Sequence, residues 1–343
     1  MRKLNWGIIG LGRIAEIFSE GFSEVNSARL LSVASKDKSK LEKFKKIYNL
    51  EERFLFERYE DLINCKDIDI VYVALPNSLH YHWVLKIIEN NKNVLVEKPA
   101  FISSLEADDF YKKIVDKDLF FQEAFMYRYL PQTKSIIEIL KNQEIGKISS
   151  MNSYFGMNLL TKKKFFFFEK KKSINPKDRK FDKEMGGGSI YDLGCYPSSF
   201  SLLINSIISE KKNNNFKISN ILKEIGETGV DVDASAELVF DNYFKSKIHC
   251  SFKKNSGNQT IINGKNGQII LQDTWKGKNV IIKLNQKKGR EINFDNKKNI
   301  YSYQIETISN NILKGYKKTE YPGMRIDETI QNARIIDSWI NSP

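Results

Sequence analysis

Within its first fifteen residues the chain passes from the apolar run LNWGII at 4–9 into Gly10-Leu11-Gly12-Arg13-Ile14-Ala15, and apolar residues then recur at helical spacing over 14–22. A strand that turns into a helix within three residues points to a fold whose parallel strands are joined by crossover helices. Each small residue has its own reason to be small. Gly10 permits the tight turn, Gly12 lets the backbone approach a pyrophosphate, and Ala15 allows close helix–strand packing. The helix start adds unpaired N–H groups and a partial positive charge, both suited to phosphate. The glycine pattern alone is weak evidence. Between a strand and a helix it predicts a dinucleotide site at Gly10, Gly12, Arg13 and Ile14.

Strand and helix signals keep alternating up to residue 123. Strands are expected at 4–9, 28–35, 70–75, 93–97 and 120–123, with helices at 14–22, 38–48, 82–90 and 105–117. This alternation specifies a doubly wound parallel sheet covered on both faces. After Pro131 the pattern changes. A helix at 132–141 is followed by segments with period-two alternation at 148–155, 234–240, 246–252, 260–263, 268–271 and 280–284, then by helices near 303–313 and 326–340. These strands suit an antiparallel sheet with one face packed and one free to meet a partner. A chain of 343 residues exceeds the usual size of one core, so two domains are expected, 1–122 and 123–343. The run KKKFFFFEKKK at 162–172 is too polar at its flanks for a core strand. It reads as a loop pinned by its phenylalanines, or as a lid.

The formal net charge of +13 raises the question of nucleic acid. The excess is lysine scattered among asparagines, as in KKNNNFK and NQKKGR, without a nucleic-acid-binding motif. No nucleic-acid partner is expected. Apolar runs such as VYVAL at 71–75 fall far short of the roughly 18–20 residues that span a bilayer. The N-terminus enters a strand at once, so the expectation is a cytoplasmic protein without membrane association. Cys65, Cys195 and Cys250 are widely spaced, with no CxxC or histidine cluster. Neither structural disulfides nor a metal site is expected.

Cofactor choice is written at the end of the second strand, as Ser35-Lys36-Asp37. An acidic side chain there would hold a ribose 2′-hydroxyl. A hydroxyl followed by a cation instead suits a 2′-phosphate, so NADP is favoured over NAD, and Asp37 reads as the cap of the next helix. The segment ALPNSLH at 74–80 places Leu75, Pro76, Asn77 and His80 beside the same crevice. His80 reads mainly as an anchor for the loop and helix start. The strand at 93–97 delivers Glu97 and Lys98 to the crevice, because strand carboxyl ends line it.

Taken together, GLGRIA, ALPNSLH, VLVEKP at 94–99, EAFMYRYLPQ at 123–132 and GGGSIYDLGCYP at 186–197 resemble the Gfo/Idh/MocA family of oxidoreductases. The resemblance runs over nearly the whole chain, and is nearest the branch of dimeric dihydrodiol dehydrogenase, glucose–fructose oxidoreductase and NADP-dependent xylose dehydrogenases. It implies an N-terminal Rossmann domain, a C-terminal α/β domain with a large open, mostly antiparallel sheet, and a homodimer or homotetramer formed through that sheet. It also implies that Lys98, Asp192 and Tyr196 hold the catalytic positions, Tyr196 standing where many relatives carry histidine. Arg128 and Arg179 are candidates for substrate contact, with a salt bridge as the alternative for each. Cys195 reads as a packing residue. The leading expectation is oxidation of a free aldose at C1. A nucleotide-linked sugar, an inositol, a trans-dihydrodiol, or a non-catalytic NADP-responsive role are the alternatives. The three glycines are expected to let the backbone pass close to nicotinamide and substrate.

Overall fold

Parallel strands buried on both faces have to be apolar along their whole length, and the strands of the first sheet meet that demand. The computed structural model describes residues 2–164, 168–209, 215–255, 257–295 and 298–342. Contacts divide the chain into two units, each with its own sheet. In chain order the first unit supplies β1 (Leu4–Ile9), α1 (Arg13–Glu20), β2 (Ala28–Ala34), α2 (Lys38–Tyr48), β3 (Leu55–Phe56), α3 (Tyr59–Asn64), β4 (Ile70–Val73), α4 (Asn77–Glu89), β5 (Asn93–Val96), α5 (Ser104–Ile114) and β6 (Phe121–Glu123). The strands lie parallel in the order β3-β2-β1-β4-β5-β6. Ile8, Ile9, Val71, Val73, Val94, Leu95 and Val96 are wholly buried. Strand order reverses between β1 and β4, which puts the ends of those strands at the crevice where this fold binds ligands.

The second unit contains α6 (Pro131–Lys141), β7 (Ile148–Gly156), β8 (Thr161–Lys164), β9 (Phe168–Lys171), α7 (Cys195–Ile208), β10 (Phe216–Ile225), β11 (Asp231–Phe240), β12 (Lys245–Ser251), β13 (Thr260–Gly264), β14 (Gly267–Leu271), β15 (Val280–Leu284) and β16 (Arg290–Ile292). Its large sheet has the order β10-β11-β12-β7-β13-β14-β15-β16 and is antiparallel except where β7 runs parallel to β12. One face packs beneath α7, whose residues from Cys195 to Asn205 are all buried. The other face carries Tyr154, Glu237, Lys247 and His249, half-buried or exposed. The sequence-predicted loop at 162–172 is instead a ribbon in which β8 pairs antiparallel with β9. Uninterrupted lysine and phenylalanine hide the period of two by which a strand is recognised. Residues 165–167 of that run lie outside the described residues.

Two helices close the chain, α8 (Ile300–Leu313) and α9 (Ile326–Asn341). The division of the chain differs here from the sequence expectation. The first unit runs on to Tyr129, not 122, and reclaims Asn296–Thr329, so α8 belongs with the first sheet. The contacts explain why. The Trp6 indole, fully buried, donates to Ser309 Oγ at 2.9 Å, and Glu306 accepts from the Ser27 hydroxyl at 2.8 Å. Periodicity reveals the amphipathic face of α8, but not which of two cores it covers.

Ser309→Ala should leave the buried Trp6 N–H without its partner and cost about 1–3 kcal/mol. Urea unfolding measures this, and a midpoint unchanged from the parent would refute the role given to the bond.

Candidate active site

Gly10 has φ +87°, and a Cβ there would lie 2.6 Å from the Ala74 carbonyl oxygen and 2.6 Å from Leu75 Cδ2. Only glycine fits such a turn. Gly12 caps α1, and no atom lies within 4 Å of where its Cβ would stand. Open space therefore adjoins the end of an eight-residue helix whose first N–H groups are available to an anion. Ala15 is wholly buried, Ile14 half-buried and Arg13 exposed. The residues present fit a dinucleotide pyrophosphate. At the end of β2, Ser35 Oγ accepts from the Asp37 N–H at 3.1 Å, and Lys36 is exposed. Asp37 caps α2 by accepting from the Ser39 N–H at 3.0 Å and the Ser39 hydroxyl at 2.6 Å, which hold its carboxyl below the usual range.

Beyond β5 the chain leaves the sheet while still buried, and side chains supply the missing hydrogen bonds. Glu97 accepts from the Tyr72 hydroxyl and from the Lys98 N–H at 3.2 Å. Glu123 Oε1 accepts from the Ala100 N–H at 3.0 Å. Lys98 itself is half-buried. His80, expected beside the cofactor, is wholly buried, its ring nitrogens 2.8 Å from the Pro99 carbonyl oxygen and 2.9 Å from that of Leu75. It ties the loop after β4 to the loop after β5, which is the anchoring role. Leu75 and Pro76 are half-buried and Asn77 is buried, at the start of α4.

The glycine segment combines three kinds of constraint. Gly186 has φ +72° and Gly188 φ +119°, while a Cβ on Gly187 would lie 2.7 Å from the Asp182 carbonyl oxygen. A Cβ on Gly188 would lie 2.4 Å from Asp231 Oδ1. The positive φ of Gly186 and Gly188 and the close contacts at Gly187 and Gly188 favour glycine at all three positions. Ile190–Gly194 then forms a π-helical turn that leads directly into α7. Such turns widen the helix by one residue and are concentrated at functional sites. Asp192 lies in the π turn and Tyr196 in the first turn of α7, each only 7% exposed. The two residues thus stand at a π-to-α junction and not on one regular helix. Arg179 Nη1 reaches Asp192 Oδ1 at 3.4 Å, and the Arg179 side chain is half exposed. The Tyr196 ring packs against Phe155 and Trp275, with centroids 5.0 Å and 5.4 Å away.

Arg128 corrects an expectation. Its guanidinium is fully buried and paired with Glu328, also fully buried, at 3.1 Å, with the Pro322 carbonyl at 3.3 Å. A side chain so enclosed ties the EAFMYRYLPQ segment to the first turn of α9, and does not reach a substrate. Arg179 takes up the alternative also weighed for it, a salt bridge, with an acid from the glycine segment as its partner. Cys195 is buried as packing, and Cys65, Cys195 and Cys250 are all free thiols. Sequence reasoning missed Tyr72, Glu123 and Asp231. Glu123 and Asp231 sit at strand positions where their carboxylates face inward, and a charged residue in a buried strand is the signal that marks them.

A doubly wound parallel sheet with a glycine turn fit for a dinucleotide, followed by a large open sheet, is the architecture of a nucleotide-dependent oxidoreductase. Residues 4–125 match the family model for an oxidoreductase family with an NAD-binding Rossmann fold, and residues 133–270 match that of the GFO/IDH/MocA C-terminal domain. The chain belongs to the Gfo/Idh/MocA family. It is 28% identical over 341 residues to trans-1,2-dihydrobenzene-1,2-diol dehydrogenase of Xenopus laevis, covering 97% of this chain and 96% of that one. The fold is shared with the aldose-aldose oxidoreductase of Caulobacter crescentus complexed with glycerol, at a TM-score of 0.83 and 21% identity over 98% of this chain and 96% of that one. It is shared too with a 3-ketoreductase from Actinomadura kijaniata in complex with NADP and TDP-benzene, at a TM-score of 0.81 and 20% identity over 98% and 97%. Among the described residues, no helix is long and apolar enough to cross a membrane.

Burial pushes the Glu123 carboxyl up to about 7, helped by the Glu97 charge and opposed by the Ala100 N–H and by Arg128. An unfolded glutamate titrates near 4.5. Between those values the folded state binds more protons than the unfolded one, so this group's contribution to stability falls as pH rises through that window. Glu123→Gln keeps an acceptor for Ala100 and stays neutral. It should flatten this part of the pH dependence and gain on the order of a few kcal/mol over the parent above neutrality. Urea unfolding of both proteins at about pH 5 and about pH 8 checks it; parallel profiles would exclude the effect.

Proposed function

We propose that the protein transfers hydride between NADP and a hydroxyl-bearing carbon of a sugar or cyclic polyol, with C1 of a free aldose as the leading substrate position. The observation that carries the reading is the π-to-α junction, which holds Asp192 and Tyr196 on a nearly buried element. Lys98 joins them as the family resemblance implies. NADP, when bound, supplies or accepts the hydride. In oxidation the carbinol carbon loses its hydride, the hydroxyl proton passes to the Tyr196 phenolate, and a C=O bond forms. A free tyrosine titrates near 10, too high for an efficient base at neutral pH. A neighbouring cation favours the phenolate, and the family resemblance assigns that part to Lys98. Asp192, oriented by Arg179, accepts a hydrogen bond from a second substrate hydroxyl.

Two features support NADP. The Ser35 hydroxyl oxygen is already an acceptor for Asp37, which leaves its proton to donate to a 2′-phosphate, and Lys36 stands exposed beside it. The second substrate reading, a trans-dihydrodiol, is favoured by the Xenopus laevis relative, which matches along nearly its full length. We place the protein in the cytoplasm as a homodimer or homotetramer formed through the open sheet face. There Ile261, Ile270 and Ile281 stand in register across β13, β14 and β15, none of them fully buried.

NADP reduction followed spectrophotometrically against aldoses, inositols, sugar acids and diols identifies the substrate. On that substrate Tyr196→Phe and Lys98→Ala should each lower kcat about 100-fold or more; near-parental turnover in either correctly folded variant would sink the assignment. Lys36→Glu should shift preference from NADPH towards NADH, by about tenfold for loss of one charge-assisted contact. An unaltered ratio of the two dissociation constants would overturn the cofactor assignment.

A further inference from the structure

We infer that Asp231, at the start of β11, is the positioning residue of this active site, clamping the turn from Gly188 to Ile190 so that Asp192 and Tyr196 are held in their working geometry. The inference rests on the catalytic reading of those two residues. Asp231 Oδ2 accepts from the Ser189 hydroxyl at 2.5 Å and from the Ile190 N–H at 2.8 Å. Asp231 is 8% exposed, and its carboxylate stands at the N-terminal end of the π turn, where it takes the Ile190 N–H. Gly188 is glycine because Asp231 Oδ1 occupies the place of a Cβ, at 2.4 Å. The third glycine and the serine of the GGGS sequence are therefore both shaped around one carboxylate from another strand.

The clamp bears unequally on the two residues it positions. The Asp192 N–H donates to the Gly188 carbonyl at 3.1 Å, so the acid hangs directly from the clamped turn. Tyr196 has further support from Phe155 and Trp275, and between the two a Cβ on Gly194 would lie 2.9 Å from Trp339 and 3.1 Å from Cys250 Sγ. Loss of the Asp231 charge should release the Asp192 end first. A displaced catalytic group of this kind costs on the order of 10- to 100-fold in turnover.

The test is a double-mutant cycle on the holoenzyme. Asp231→Asn should lower kcat about 10- to 100-fold and leave the NADPH dissociation constant within about twofold, because the cofactor residues belong to the other unit. Asp231→Asn combined with Asp192→Asn should be slower than Asp192→Asn alone by much less than the factor that Asp231→Asn costs by itself, since the clamp acts chiefly through Asp192 and only in part through Tyr196. Parental kcat in Asp231→Asn, or losses that multiply in the double variant, would overturn the inference. Should Asp231→Asn fail to fold, Ser189→Ala removes one of the two contacts and keeps the carboxylate, and the same non-additivity with Asp192→Asn is expected; multiplied losses overturn the inference there too. An Asp192→Asn variant with full activity would instead count against the functional reading itself.

Discussion

A buried backbone N–H must find an acceptor, and a chain that leaves its sheet to build a site has given up the acceptors the sheet provided. In this protein buried carboxylates fill that need. Glu97 accepts from the N–H of Lys98, Glu123 from that of Ala100, and Asp231 from that of Ile190. Each lies immediately beside a loop or turn that carries a residue of the proposed chemistry. The cost is the burial of negative charge, visible in the raised carboxyls of Glu123 and Asp231. Such charges are tolerated where the donors around them are fixed.

The same balance explains the Arg128–Glu328 pair. Both side chains are fully buried, and removal of one partner would strand the other without water. The pair joins the segment after β6 to the start of α9. An arginine in a recognisable motif thus serves the frame of the fold. Its residue type carries no mark of that, because guanidinium–carboxylate pairing serves frames and ligands equally well.

Much of the architecture is legible in residue order. The apolar runs of β4 and β5, the glycine turn before α1 and the Asp37 cap of α2 are local signals, each with a local cause, and the structure places them as read. Elements not foreseen include α3, β10 and β16, and others whose signal is hidden or whose cause is remote. The two-residue β3 is too short to show a period and exists because β2 pairs with it. The ribbon of β8 and β9 is hidden by repeated lysine and phenylalanine. The π turn of Ile190–Gly194 depends on a clamp from β11 and on Trp339 and Cys250 crowding Gly194.

The sequence by itself determined the chemistry on offer: a phosphate-binding turn, a lysine after a buried strand, an acid and a phenol four residues apart, and a family pattern that joins them. Those properties follow from residue type and local spacing, which the chain carries unfolded. Only the tertiary structure decided which polar groups are structural. It enclosed Arg128 and His80, set Arg179 on Asp192, returned α8 to the first sheet and recruited Asp231 to the glycine segment. Burial and long-range hydrogen bonding make these assignments, and they exist only once distant segments of the chain exclude water together.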